Sequence, residues 1–241
     1  MRVSSWNIQH LEVYEAGANA HAAFAQALTD YAPDVLLLQE VVELNPRSGS
    51  ESQTALAAGL LGADQTRFAA TPPQPGDYGI AVISKLPVRR WHQLALPKSP
   101  FGLRLTFLHD GVPTKYYVAD HQRAAIAAEL ENGWLVVNTH CSFVPGMAHL
   151  HALRVSLWAR RLAKQSGSRL LIAGDLNFAS TTWLGVLGLR RLIAALTFPA
   201  WEPAKQIDHL LVPRRQRTVA QAQRQPRAAI SDHVAVSVEV S

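Results

Sequence analysis

Cysteine is almost absent. The 241 residues include one, Cys141, so no intramolecular disulfide can form and a small disulfide-stapled secreted scaffold is excluded. Charge is also sparse: Asp, Glu, Lys and Arg make up 17% of the chain, and no long polar tract points to disorder. Long hydrophobic runs are missing as well. Stretches such as Val35–Leu38 and Trp134–Val137 fall far short of the roughly 20 apolar residues that a membrane-spanning helix needs. The opening residues show no basic segment followed by an apolar run, so no signal peptide is expected and the chain is read as soluble and cytoplasmic. Negative charge is the scarcer sign, with 18 Asp and Glu against 23 Lys and Arg and a net charge of +5. A surplus of that size tolerates an anionic partner and steers it, but it specifies no chemistry.

What remains is a chain that is 48% apolar, long enough for one sizeable core, and no Gly/Ser/Pro linker divides it. Residues 1–241 are therefore read as one domain. Arg2–Asn7 alternates as a strand. Phe24, Leu28 and Tyr31 mark a helix over Ala20–Tyr31, stopped by Pro33. Asp34–Glu40 is a nearly continuous apolar run ending in a carboxylate, as expected of a strand covered on both faces. Ser52 is placed to cap a helix carrying Leu56, Leu60 and Leu61. Strands are expected at Tyr78–Ser84, Trp91–Leu96, Leu103–Leu108, Lys115–Ala119, Arg123–Leu130 and Trp134–His140. Asp110-Gly111 and Asn132-Gly133 are the hairpin turns among them, and Thr71–Gly76 is a loop. A helix over Met147–Lys164 follows, with Leu150, Leu153, Leu157 and Leu162 as its core face. Then come a strand at Arg169–Ala173, a helical stretch near Trp183–Leu189, and strands at Ile207–Val212, Thr218–Gln223 and Val234–Val240. Such an order layers naturally as two packed sheets with helices outside them.

Polar residues gather at the strand ends: Asn7, Glu40, Asn138 and His140, Asp175 and Asn177, Asp208, and Ser231-Asp232-His233. Strand ends on one rim of a sheet converge on a cleft, so these residues can share a site. Carboxylates and amides predominate, which suits Mg²⁺ or Mn²⁺ better than zinc. Taken singly, each has a bland reading: Glu40 a solvated strand end, Asn177 an Asx-turn residue, Asp208 a surface charge. The other histidines, at 10, 21, 92, 109, 121, 149, 151 and 209, are read as surface or structural.

The ordered series is more specific than its parts. Trp6-Asn7, Leu37-Leu38-Gln39-Glu40, Asn138-Thr139-His140, Gly174-Asp175-Leu176-Asn177, Gln206-Ile207-Asp208 and Ser231-Asp232-His233 together resemble the endonuclease/exonuclease/phosphatase superfamily. That superfamily includes DNase I, abasic-site endonucleases, inositol polyphosphate 5-phosphatases and bacterial sphingomyelinases. Tyr78–Lys85 is similar to an internal strand of the family, and the resemblance runs from residue 4 to residue 240. It implies a DNase I-like α/β fold: a four-layered α/β sandwich of two packed, mainly antiparallel β-sheets flanked by helices.

The resemblance also implies roles. Glu40 holds a divalent cation, Mg²⁺ or Mn²⁺, with Asn7 orienting the carboxylate or holding a water on the ion, and Asp232 adds to that shell. His233 pairs with Asp208 and serves as a base or a phosphate ligand. Asp175 activates or positions the attacking water, Asn177 donates to the developing negative oxygens, and protonated His140 donates to a phosphoryl oxygen or assists the leaving group. Arg123 contacts a phosphate. Departures from particular branches matter too. There are no disulfides as in DNase I, Asn138-Thr139-His140 stands where abasic-site endonucleases carry a tyrosine, and Trp201 to Asp208 only distantly echoes the 5-phosphatase run. No apolar membrane-docking hairpin of the sphingomyelinase type is evident.

Arg214, Arg215, Arg217, Arg224 and Arg227 are read either as a solvated basic face or as a phosphate-backbone surface flanking the cleft. The expected function is Mg²⁺-dependent hydrolysis of phosphodiesters in nucleic acid. The alternatives are a phosphatase or phosphodiesterase of a small phosphorylated molecule (an inositol phosphate, nucleotide or phospholipid headgroup) and an inactive binding protein. A monomer is the default expectation for its oligomeric state.

Overall fold

A computed structural model describes residues 1–44, 51–71, 77–109 and 112–241. In chain order the elements are β1 (Arg2–Asn7), α1 (Ala20–Tyr31), β2 (Val35–Glu43), α2 (Gln53–Leu61), β3 (Gln65–Ala70), β4 (Asp77–Ser84), β5 (Val88–Leu96), β6 (Leu103–His109), β7 (Val112–Val118), β8 (Arg123–Leu130), β9 (Trp134–His140), α3 (Pro145–Ser166), β10 (Arg169–Asp175), α4 (Thr181–Val186), β11 (Leu189–Arg191), β12 (Asp208–Pro213), β13 (Ala220–Arg224) and β14 (Val236–Val240). Two six-stranded sheets form, ordered β13-β14-β1-β2-β4-β3 and β11-β12-β10-β9-β8-β5, and β6 with β7 makes a separate two-stranded ribbon.

Each sheet is mixed. Its single parallel pair, β1 with β2 or β9 with β10, sits at the centre, and the flanking pairings are antiparallel. A parallel pair needs a crossover, and α1 and α3 supply the two. The expected four-layered sandwich is thus present, with two equivalent halves.

Period-two alternation sorts the side chains between layers. Val3, Val35, Leu37, Val82, Ile126, Val136, Leu171, Leu210 and Val238 meet between the sheets. Leu36, Leu38 and Ile83 face Phe24 and Leu28 of α1 on one outer side, and Leu135, Val137 and Ile172 face α3 on the other. Both faces of the central strands are therefore covered, which is why β2 and β9 read as continuous apolar runs.

Local signals act as their chemistry dictates. Asn19 and Ser52 accept from the N–H groups of Ala22 and Ala55 at the starts of α1 and α2, and Gly133 takes φ +84° in the β8–β9 turn. The β6–β7 hairpin forms as expected; its Asp110-Gly111 turn lies outside the described residues, as do residues 72–76 of the expected loop.

The expectation for α3 is corrected. Leu153 and Leu162 pack against the core as expected, but Leu150 and Leu157 are exposed, at 41% and 61%, and Ala148, Ala152, Val155 and Ala159 make up the buried face. Two apolar stripes run along this helix, and the one with small side chains packs because it lets the helix axis lie close to the sheet. Strands β3 and β11 complete the two sheets where sequence periodicity gave no strand.

A polar clamp joins the sheets near one end of the core. Gln39 and Asn138, both fully buried, extend from β2 and β9 toward each other, and Gln39 Nε2 donates to Asn138 Oδ1 at 2.7 Å. Asn138 Nδ2 then donates to the carbonyls of Leu38 and Ala81, both at 2.8 Å. Behind this clamp His121, in the loop between β7 and β8, lies edge-on to Tyr78 at 5.5 Å. Burial, reinforced by the nearby Arg123 charge, pushes its pKa down to about 4.

Two stability predictions follow from these groups. Asn138→Ala takes the amide donor from the Leu38 and Ala81 carbonyls and the inter-sheet acceptor from Gln39, whose Nε2 keeps Ser5 Oγ and the Leu37 carbonyl at 3.2 Å. An unfolding free energy lower by about 3 kcal/mol is expected in urea denaturation; a loss under about 1 kcal/mol contradicts the clamp. For His121 the folded pKa lies below the unfolded value, so its contribution is complete above about pH 6.5 and is lost as pH falls toward 4. Relative to His121→Asn, the wild type is expected to lose about 2 kcal/mol between pH 7 and pH 5. Parallel pH dependence of the two proteins contradicts this.

Candidate active site

Strand direction decides which ends meet. β1, β2, β9 and β10 bring their carboxyl ends to one rim, and the antiparallel β12 brings its amino end there. Asp175 therefore lies opposite His140 on one side and Asp208 on the other. Asn7, His140, Asp175 and Asp208 continue the inward-facing alternation of their strands, so they cap the inter-sheet core with polar groups.

Glu40 does not belong to that alternation. A regular strand would send it outward, to the side of α1 and α2. Instead the pairing of β2 with β4 slips between Gln39 and Val41, and Glu40 adopts φ +55°. This bulge turns its carboxylate to Asn7. Positive φ recurs around the site, at Gln9, His10, Leu11, Asn177 and Ser231, as strained backbone does at functional positions. Gly174, at φ +137°, must be glycine: a Cβ there would sit 1.9 Å from the Thr139 carbonyl oxygen. That contact accounts for the first residue of the Gly-Asp-Leu-Asn motif.

Asn7 is the junction. Its Nδ2 donates to Glu40 Oε1 at 3.0 Å and to Asp175 Oδ2 at 3.1 Å, while its Oδ1 accepts from the Gln9 N–H. Asp175 Oδ1 accepts the Asn177 N–H at 2.8 Å. Burial pushes the Asp175 carboxyl up to about 7, and the neighbouring His233 acts against that rise. His233 Nδ1 bonds Asp208 Oδ2 at 2.9 Å, and its Nε2 points between Asp175 and Asp232, 3.8 Å from each. Burial alone would strip the proton from this ring. The Asp208 charge and hydrogen bond, with Asp175 and Asp232 beyond, outweigh it and hold the pKa at about 10. Asp232 is half-buried beside this ring, its own carboxyl pushed up to about 6 by burial.

His140 behaves otherwise than expected. Arg123 Nη1 stands 3.1 and 3.2 Å from its two ring nitrogens, and Asn177 Nδ2 is 3.2 Å from Nε2. Burial first, and the Arg123 cation next, push the His140 pKa well below the ordinary value. The ring is neutral, so the expected protonated donor is not what this environment holds. Arg123 itself is 3% exposed, set behind His140, with Asp120 at 3.7 Å and Phe143 under its guanidinium. Asp120 and Gln9 are members of the site that sequence reasoning passed over, and Gln39, Asn138 and Ser231, which it placed in strand-end motifs, were given no role there. Ser231 Oγ donates to the Asn7 carbonyl at 2.6 Å and accepts the His233 N–H at 3.0 Å; its neighbourhood to Asp232 and His233 was the available signal.

The donor set fits a divalent cation. Asp175, Asp208 and His233 bring ligand atoms within 4.8 Å of one another, and Asp208 Oδ1 is buried without a hydrogen-bond partner. Glu40, only partly buried, adds a further carboxylate through Asn7. Oxygen ligands in this proportion suit Mg²⁺-like ions. Expectation placed the ion with Glu40, Asn7 and Asp232; the structure brings the Asp175 and Asp208 carboxylates beside them, with His233 able to ligate only after giving up its proton.

Around the mouth, Phe198 packs against His233 at 4.9 Å. Tyr14 and Trp201 meet at 5.2 Å with their rings tilted by 39°, and Tyr14 hydrogen-bonds the same Gln9 that holds the Asp232 N–H. The arginine group is divided. Arg224 ends β13 opposite Val236, on the site's rim, and Arg227 pairs with Glu15. Arg214, Arg215 and Arg217 follow the far end of β12, so they do not flank the cleft.

Comparison with known proteins places these features. No curated protein matches the chain by sequence. Among solved structures, an endonuclease/exonuclease/phosphatase protein of Beutenbergia cavernae is 22% identical, with a TM-score of 0.66 over 99% of this chain and 70% of that one. Truncated Caenorhabditis elegans TDP2 is 17% identical, with a TM-score of 0.65 over 98% and 95% of the two chains. A mannosyl-6-phosphatase of Bacteroides thetaiotaomicron is 16% identical, with a TM-score of 0.64 over 100% and 99%. At those identities the likeness is one of fold. The model of the Endonuclease/Exonuclease/phosphatase family matches residues 4–233, a span that holds every site residue named above, and the chain belongs to that family.

Proposed function

We propose that residues 1–241 form one catalytic unit, a Mg²⁺-dependent phosphodiesterase acting on nucleic acid. Enzymes of this family hydrolyse phosphate esters and generally depend on a divalent metal. The observation that carries the reading is the pairing of a protonated imidazole with a buried, weakly acidic carboxyl across one cleft, His233 facing Asp175.

The cation, Mg²⁺ with Mn²⁺ as the alternative, would be held by Glu40 with Asn7 and Asp232, and the unpartnered Asp208 Oδ1 offers a further oxygen; His233, held as an imidazolium, has no lone pair to give. When bound, it neutralises charge on a phosphate oxygen and makes phosphorus more electrophilic. Asp175 takes the proton of the attacking water, a task for which a carboxyl titrating near neutral pH is suited. His233, held cationic by Asp208, donates through Nε2 to a phosphoryl oxygen. Asn177 Nδ2, bonded to the Cys141 carbonyl at 3.0 Å and to His140 at 3.2 Å, would exchange one of these partners for a phosphoryl oxygen as negative charge develops. His140, favoured as the neutral ring, carries no charge into the cleft; its single acceptor nitrogen is met by Arg123 or by the Asn177 amide according to tautomer, and the contact holds both side chains in place. Arg123 acts here through His140, with Asp120 balancing its buried charge.

Nucleic acid is favoured by the mouth. The exposed Tyr14–Trp201 pair beside Asp232 offers a face on which a nucleobase can lie while the adjoining phosphate reaches His233. A second reading, hydrolysis of a small phosphate ester, is favoured by the arginines: three of the five stand away from the cleft, so no long basic groove leads into it.

Hydrolysis of plasmid, single-stranded DNA, RNA, and nucleotide and inositol phosphates, with Mg²⁺ or with EDTA, separates these readings. Strand cleavage that EDTA abolishes and that Asp175→Asn lowers by about 10²-fold or more is the expected outcome. Phosphate release from a small ester without strand cleavage selects the second reading, and an Asp175→Asn variant as active as wild type rejects the assigned site. Trp201→Ala is expected to raise KM for oligonucleotides about tenfold with little change in kcat. An equal effect on inorganic or aliphatic phosphate esters contradicts base stacking.

A further inference from the structure

The rim opposite the active site collects guanidiniums. Arg169 opens β10, Arg190 lies in β11 opposite Val212, and Arg214, Arg215 and Arg217 follow β12. The same strands end at Asp175 and begin at Asp208, so six strand residues, about 20 Å, separate this rim from the cleft.

The backbone here is fixed. Gln216 ties the loop to the start of β10 in both directions, accepting the Leu170 N–H at 2.8 Å and donating to the Leu170 carbonyl at 3.0 Å. Arg214 N–H donates to the Gly188 carbonyl at 2.9 Å. Arg169 lies over the Trp134 ring at 4.3 Å and donates to the Arg217 carbonyl at 3.1 Å. The bases of the side chains are thus pre-positioned.

Arg169 is engaged by backbone oxygens, its Nη2 donating to Ser241 O at 2.6 Å as well as to Arg217, and no described carboxylate side chain matches the charges of the group. Arg2, Arg89, Arg123 and Arg227 each have an Asp or Glu partner. Among the described residues no Asp or Glu is ion-paired with Arg169, Arg190, Arg214, Arg215 or Arg217. Two adjoining cavities, about 340 and 720 Å³, open on this rim and share Arg190 and Arg214 as a common wall. Concavities of this size take small ligands rather than a flat bilayer. Arginine forks grip phosphate oxygens in pairs, and a wall with a cavity on each side can be straddled by two anionic groups.

We propose that this rim is a second binding site, separate from the catalytic cleft, for a compact ligand carrying two or more phosphate groups. Neither the cleft nor its substrate enters the argument, so the proposal stands or falls apart from the proposed function.

Tripolyphosphate is the probe, titrated calorimetrically into the full chain at low salt with EDTA present. One equivalent is expected to bind. Affinity is expected to fall about tenfold or more in an Arg214→Ser/Arg217→Ser variant, whose exposed side chains are free to change without loss of fold, checked by an unaltered melting temperature without ligand. Arg214→Lys, which keeps the charge and loses the fork, is expected to give an intermediate loss and serves if the double variant does not fold. Hydrolysis in the cleft stays at the wild-type level in each variant. Absence of binding overturns the proposal, as does undiminished affinity in the variants. Arginine-dependent binding of a 12-nucleotide strand with none of tripolyphosphate overturns the compact ligand in favour of strand docking.

Discussion

One hydrogen bond, from Gln39 to Asn138, sets the relation between the two halves of this molecule. Apolar packing between sheets is indifferent to small slides, because methyl groups find comparable contacts after a shift. An amide pair is not indifferent, since each group has few directions in which it is satisfied and none of them leads to water. The clamp sits one position before Glu40 on one sheet and two before His140 on the other. It therefore fixes the separation of the very strand ends that carry the polar groups. Asn7, bonded at once to Glu40 of its own sheet and Asp175 of the opposite one, repeats the clamp at the surface of the core.

Above the clamp the ordinary rules of a stable interior are broken in a consistent way. Carboxylates are buried close together, an arginine is enclosed, and Asp208 Oδ1 and Arg123 Nε have no hydrogen-bond partner. Such groups weaken a fold, and their concentration at one rim is where natural proteins place function. Each half compensates differently. Asp208 gives His233 a counter-charge, and Asp120 gives one to Arg123. The outcome is one charged and one neutral imidazole on facing sides of Asp175, a difference created by neighbours and not by residue type.

How far the sequence revealed this depends on the residue. Asn7, Asp175 and Asp208 were legible because each extends a strict two-residue alternation to its last member, so a polar residue there must cap the core. The layers were legible because β2 and β9 are apolar on both faces. Glu40 was found through motif order alone; periodicity would have sent it to the wrong side, since a bulge leaves no mark in an apolar pattern. The neutrality of His140 was hidden because Arg123 precedes it by 17 positions and meets it only through strand pairing. The arginines after β12 were left between a solvated face and a surface flanking the cleft, because nearness in sequence to Asp208 does not show that a six-residue strand carries the chain across the sheet. β3, a largely exposed edge, and β11, three residues long, lack the repetition on which periodicity depends. In α3 the leucines outweighed the alanines by size, but the sheet selected the smoother stripe.

The last link in the site is also a link in time. Trp6 donates to the His233 carbonyl, and Ser231 reaches back to the Asn7 carbonyl, while β14 slots between β1 and β13. Strand β1 is made before the other elements of the structure, yet the residues that finish its neighbourhood follow more than 220 positions later. Throughout synthesis the growing chain is a hydrolase without its imidazolium, and the carboxylates already made stand without the cation that balances them. The completed site and the closing of the first sheet therefore arrive in the same step, because His233 and the strand that follows it take their places together.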